Sequence, residues 1–214
     1  MKKTWFLFFL LLVLIPGLVF AKTEPSILRI GSKGEEVFLL QKILNQERYL
    51  PGPLDGVFGP NTREAVITFQ KVNNLKRDGI VGPQTWRALE KPQKPLPKYG
   101  GTHTEIDLGK QVLYFVEEGK IIAIIPISTG KKGTETPCGQ FKVYWLWPGW
   151  HEVVNRPWGG WMYNSIYFRG AYAIHGFFSV PVYPASHGCV RVPLVYADWL
   201  YSKVGKRGAI IYIY

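Results

Sequence analysis

The sequence predicts two domains of different class: a small three-helix, all-α domain over residues 27–90, and a mainly β, sandwich- or barrel-like domain with one short helix over residues 101–214. Three observations carry this. DGVFGPNT at Asp55 returns as DGIVGPQT at Asp78, and each copy leads into helical apolar spacing. KPQKPLPK, residues 91–98, then places three prolines in eight positions. Beyond it the apolar pattern shortens to strand-like runs bounded by Gly and Pro.

The first helix is read from GSKGEEVFLLQKIL, where Val37, Leu40 and Leu44 share a face and Ser32 stands three residues before Glu35 as a capping box. Asn61 and Glu64 repeat that spacing ahead of Ala65, Val66 and Phe69 in the second helix. Trp86 and Leu89 mark the third. Three short helices joined by Asp-Gly turns bury one small core of leucines, Phe69 and Trp86. Residues 91–100 then read as an extended, semi-rigid spacer, because proline at that density favours polyproline geometry.

In the second domain Thr104, Ile106 and Leu108 alternate, and QVLYFVEE turns at Glu118-Gly119 into KIIAIIPIS. FKVYWLW, SIYFRG, YAIHG and AIIYIY are further strands. Only PLVYADWLYSKV reads as a helix, with Val195, Trp199 and Leu200 on one side. Five of the eight tryptophans lie at Trp145, Trp147, Trp150, Trp158 and Trp161. The alternation of Trp145 with Trp147 predicts a core face for those two, and His103 and His151 are expected at the surface.

Lys2 and Lys3 precede an apolar run over residues 5–15, Pro16-Gly17 breaks it, and Ala21 stands before Lys22. This is the pattern of a secretory signal peptide over residues 1–21, and the run is shorter than the roughly 20 residues that span a bilayer. Export with cleavage after Ala21 is expected, with membrane association only if that segment stays. Losing Lys2 and Lys3 lowers the formal charge from +11 to about +9. A basic exported chain is drawn to wall carboxylates and phosphates rather than to nucleic acid.

Residues 186–191 read SHGCVR and follow YAIHG, so His175, His187 and Cys189 lie within fifteen residues. A thiol attacks as thiolate, and a neighbouring imidazole takes its proton, so these are the parts of acyl transfer. The glycines beside the histidines are expected to let a substrate backbone come close. His175, His187, Cys189 and Cys138 also offer four zinc ligands, though only His187 and Cys189 have close spacing. A Cys138–Cys189 disulfide is a third reading, although about 190 mature residues bury a core without one.

The segment 31–44, the two DGxxGP turns and AVITFQ closely resemble the peptidoglycan-binding domain of wall-lytic and wall-building enzymes. IHG followed by SHGCVR, preceded by Ile106-Asp107, an STG turn at Ser128 and TPCGQF at Thr136, resembles the L,D-transpeptidase or YkuD catalytic domain. That likeness implies a thioester with a tetrapeptide stem, release of the terminal D-alanine and transfer to an amine of a neighbouring stem. Peptidoglycan stem and glycan are the implied partners, and no metal or organic cofactor is called for.

Carried over, the resemblance implies Cys189 as nucleophile and His175 as general base, oriented by the Gly176 carbonyl. His187, Gly188 and the Cys189 amide would form the wall and oxyanion hole, Arg191 would hold substrate carboxylate or brace the loop, and Ser186 would support the loop. From the residues alone the choice of base stays open, since His187 lies two positions before Cys189, on the same face if that stretch is extended. Cys138 stands where the family generally carries threonine, so a second thiol falls near the site or is buried. The loop FFSVPVYPA is shorter than in many members. Rival readings are an L,D-carboxypeptidase with water as acceptor, a sortase-like enzyme, and a wall-binding protein without catalysis.

Overall fold

The computed structural model describes residues 26–154 and 160–214. The signal segment and Trp158 lie outside the described residues. Chain order is α1 (Glu35–Gln46), α2 (Pro60–Val72), α3 (Pro83–Glu90), β1 (His103–Asp107), β2 (Val112–Glu117), β3 (Lys120–Pro126), β4 (Gly139–Lys142), β5 (Trp145–Val153), β6 (Gly160–Arg169), β7 (Tyr172–Phe177), β8 (Val190–Pro193), α4 (Leu194–Val204) and β9 (Ile210–Ile213). Three helices thus precede a β domain with one helix. Among the described residues no helix is long and apolar enough to cross a membrane.

The three N-terminal helices start at glycine rather than at the expected capping boxes. Gly34, Gly59 and Gly82 occupy the caps, and none is joined by a side-chain cap bond. Ser32 Oγ instead accepts the Arg29 N–H, and Asn61 lies inside α2, one residue past Pro60. The reason is proline at the first helical position of α2 and α3, whose fixed φ starts the helix and whose missing N–H needs no cap.

The repeated motif is a repeated lock. Gln41 of α1 donates from Nε2 to Asp55 Oδ1, Val57 O and Thr62 Oγ1 at 3.0, 3.1 and 3.1 Å, and accepts the Gly56 N–H at 2.9 Å. Gln70 of α2 does the same with Asp78 Oδ1, Ile80 O, Thr85 Oγ1 and the Gly79 N–H. Gly56 and Gly79 have φ of +70° and +73°, conformations that favour glycine. Around these turns pack Leu40, Leu44, Phe58, Val66 and Phe69, while Trp86 is only partly buried and donates its indole N–H to Ser26 O.

The β domain is a two-sheet sandwich. One sheet runs β3-β2-β1-β9-β4 and the other β5-β6-β7-β8; β1 pairs parallel with β9 and β7 parallel with β8. Ile106, Leu113, Phe115 and Ile211 of the first sheet meet Ile166, Ile174, Val190 and Val192 of the second. α4 buries Tyr196, Ala197, Leu200 and Val204. Val195, expected on that face, is exposed, because the apolar stripe runs from Tyr196.

Two sequence expectations fail in the β domain. Trp145 and Trp147 are 45% and 46% exposed, because β5 is an edge strand and Leu146 is the residue packed against the core. Arg207 lies over Trp145, and Trp147 stacks on His151 with centroids 4.6 Å apart. His103 and His151 are buried rather than at the surface. His103 Nε2 meets Glu105 Oε1 at 2.8 Å, and His151 Nε2 meets the Tyr167 hydroxyl at 3.1 Å.

The two domains joined by residues 91–100 are in direct contact. Val112, Tyr114 and Ile124, on the outer face of β2 and β3, join the cluster built by α1 and α2. The Ile124 N–H donates to Arg48 O, Lys110 Nζ to Val72 O, and the Tyr196 hydroxyl to Leu50 O and Asn61 O. Glu105 Oε1 accepts the N–H groups of Lys98 and Tyr99, which ties the end of the proline-rich segment to β1.

Candidate active site

β7 and β8 place the chemistry. They pair in parallel with His175 opposite Arg191 and Ile174 opposite Val190. Ile174, Val190 and Val192 point into the core, so strand alternation puts His175 and Arg191 together on the other face, with Cys189 immediately before β8. All three line a cavity of about 710 Å³ with His187, Tyr172 and Trp161.

His175 is 4% exposed, and its Nδ1 donates to the Gly176 carbonyl at 3.0 Å, which leaves Nε2 as the acceptor. Burial pushes its pKa down to about 4, the Gly176 bond opposes this, and the charges of Arg191 and His151 add to the fall. The imidazole is therefore neutral at pH 7 and able to take a proton. His187 is more exposed; partial desolvation, then Lys131 and Arg191, lower its pKa.

Cys189 sits at the entry to β8, half-buried, with Sγ 3.6 Å from Ala171 O. Ser186 shapes its loop: Oγ accepts the Gly188 N–H at 3.0 Å and donates to Cys189 O at 2.6 Å. Thr136 Oγ1 donates to Gly188 O at 2.8 Å and accepts the Gly130 N–H. Arg191 lies 4.3 Å over the Phe177 ring and in no ion pair among the described residues. Burial lowers its pKa and the nearby Cys189 opposes the shift.

The glycines beside the histidines serve close packing. A Cβ on Gly176 would stand 2.8 Å from Ala197 Cβ, so glycine lets α4 close on β7. Gly188 has φ +116°, and a Cβ there would stand 2.4 Å from the Tyr172 ring. Cys138 is exposed and not bonded to Cys189. Among the described residues no three His, Cys, Asp or Glu side chains gather as a metal ion would need.

Residues 101–213 match the L,D-transpeptidase catalytic domain, YkuD. The chain belongs to the L,D-transpeptidase family. Residues 33–89 match the peptidoglycan binding domain. An L,D-transpeptidase from Xylanimonas cellulosilytica is 41% identical, with TM-score 0.80 over 89% of this chain and 98% of that one. One from Stackebrandtia nassauensis, 23% identical with TM-score 0.55 over 90% of this chain and 97% of that one, shares the fold. An uncharacterized protein of Kitasatospora aureofaciens is 42% identical over 72 residues, 33% of this chain and 60% of that protein. A spore cortex-lytic enzyme of Bacillus cereus is 37% identical over 69 residues, 32% of this chain and 27% of the enzyme. The chain thus spans less than two thirds of either of those two.

In the transpeptidase domain the structure gathers His175, Gly176, Ser186, His187, Gly188, Cys189 and Arg191 around one loop and one strand pair. It commits the Gly188 N–H to Ser186. It also adds Thr136, whose motif TPCGQF was visible in sequence without a role, and Tyr172, which nothing in sequence marked.

Proposed function

We propose that this protein is an exported peptidoglycan L,D-transpeptidase in which Cys189 is the nucleophile and His175 the base. One observation carries this: a buried, neutral imidazole with Nδ1 committed to the Gly176 carbonyl lines the same cavity as the Cys189 thiol. His175 Nε2 takes the thiol proton, Sγ attacks the carbonyl of the third stem residue, and the carbon–nitrogen bond to the terminal D-alanine breaks. The departing amine carries off the proton from His175. A neighbouring stem's amine then attacks the thioester, gives its proton to His175, and the thiol returns.

Backbone N–H groups of the Cys189 loop are assigned to the developing oxyanion; one such donor is typically worth about 3 to 4 kcal/mol of barrier. His187 walls the cavity. Arg191 lines it with a cation suited to stem carboxylate. Ser186 holds the loop. The 27–90 domain binds wall glycan or stem, residues 91–100 connect it to the catalytic domain at 101–214, and residues 1–21 direct export.

Intact-protein mass spectrometry with a disaccharide-tetrapeptide tests this. The wild type is expected to gain the mass of the stem minus D-alanine, and Cys189→Ala to gain nothing. With an acceptor amine added, a cross-linked product is expected; free tripeptide stem in its place makes the enzyme a carboxypeptidase. No adduct and no released D-alanine overturns the reading.

A further inference from the structure

Lys71 has no place in the chemistry above, yet it is 1% exposed. It lies in the last turn of α2, and its Nζ crosses to the catalytic domain to donate to Gln111 O and Ile127 O, both at 2.9 Å. A buried lysine is expensive to keep and shifts toward its neutral form, and a module that only tethers an enzyme to the wall needs none.

Both carbonyls belong to one hydrogen-bonded path toward the thiol. Gln111 is held at φ +59°, a conformation that side chains rarely adopt and that persists only where surroundings impose it. Its amide accepts the Thr129 N–H at 2.9 Å and donates to Thr129 Oγ1 at 2.7 Å. Thr129 O accepts the N–H groups of Ala185 and Ser186, each at 2.9 Å. Ser186 Oγ then clasps Gly188 and Cys189. A second strut starts at Arg77, which donates to Val182 O at 3.0 Å, beside Tyr183, whose carbonyl accepts from Ser128 Oγ at 2.7 Å.

We propose that Lys71 and Arg77 are positioning residues for the transfer reaction, through which the N-terminal domain sets the geometry of the Cys189 loop. This rests on Cys189 as nucleophile, but its test needs no stem substrate, so it fails or stands apart from the transpeptidase reading.

The measurement is the rate of iodoacetamide alkylation of Cys189 against pH, in the mature full-length chain carrying Cys138→Ser, well below each variant's Tm. Lys71→Met is expected to change the rate about tenfold and displace the pH profile, and that effect is expected to vanish in a Ser186→Ala background, as coupled network residues are non-additive. An unchanged profile, or effects that add in log rate, overturns the proposal. Should Lys71→Met fail to fold, Arg77→Ala, at a half-exposed site on the second strut, is expected to change the rate and displace the profile in the same way, and an unchanged profile overturns the proposal. With the stem substrate, kcat is expected to fall while KM holds; equal loss in both backgrounds marks a merely structural residue and sinks the idea.

Discussion

His175 is held neutral by burial winning over a hydrogen bond. The Gly176 carbonyl favours the imidazolium, yet desolvation holds the pKa near 4, below the ordinary 6.5. The sign of the pH effect follows: between those values the unfolded chain binds a proton that the folded chain refuses, so stability present above pH 6.5 is lost as pH falls toward about 4. Wild type is expected to lose about 2 kcal/mol relative to His175→Gln between about pH 7 and pH 4.5. Urea midpoints of both proteins at the two pH values check this, and parallel losses would refute it. That Cys189 and His175 line one cavity was foreshadowed by a motif local in sequence. Thr136, which clasps Gly188 from 52 positions away, and Gln111, which binds Thr129 across 18, were not, since no periodicity encodes such contacts. His103 had a readable clue in Glu105, two residues on and therefore on the same strand face.

At the level of elements, the helices were legible and their starts were not. Apolar spacing marked α1 and α2 correctly, while Ser32 and Asn61 drew attention from the Gly-Pro pairs that begin α2 and α3. The Asp-Gly turns were visible as turns, but their glutamine partners, in LLQK and TFQK, read only as polar positions in apolar runs. Gln41 and Gln70 each satisfy a turn's carboxylate, carbonyl and N–H from inside the helical core. Leucine at either position leaves the glycine N–H and its neighbours without their partner, at a cost of about 2 to 4 kcal/mol. Denaturant midpoints at constant m measure it, and a change under about 0.5 kcal/mol would show that water replaces the amide in full. In β5 the alternation was real but its phase was misread: Leu146 turns inward and leaves the tryptophans beside it exposed.

The whole molecule is bound by an apolar surface that the two domains share. VLYFVE in β2 is a near-continuous apolar run, the pattern of a strand covered on both faces. Leu113 and Phe115 fill the sandwich, while Val112 and Tyr114 turn outward to meet α1 and α2. Removing residues 26–100 would bare Val112, Tyr114 and Ile124 and strand the carbonyls that Lys71 serves. Burial of three large apolar side chains is worth about 5 kcal/mol, enough to merge two unfolding transitions into one. Scanning calorimetry of the mature chain is therefore expected to show a single transition with calorimetric and van't Hoff enthalpies equal. The 101–214 fragment is expected to melt at least about 10 °C lower, since each kcal/mol shifts a domain of its size by several degrees. Two resolved transitions, with the later one unmoved in the fragment, would make the domains independent and leave their shared cluster without energetic weight.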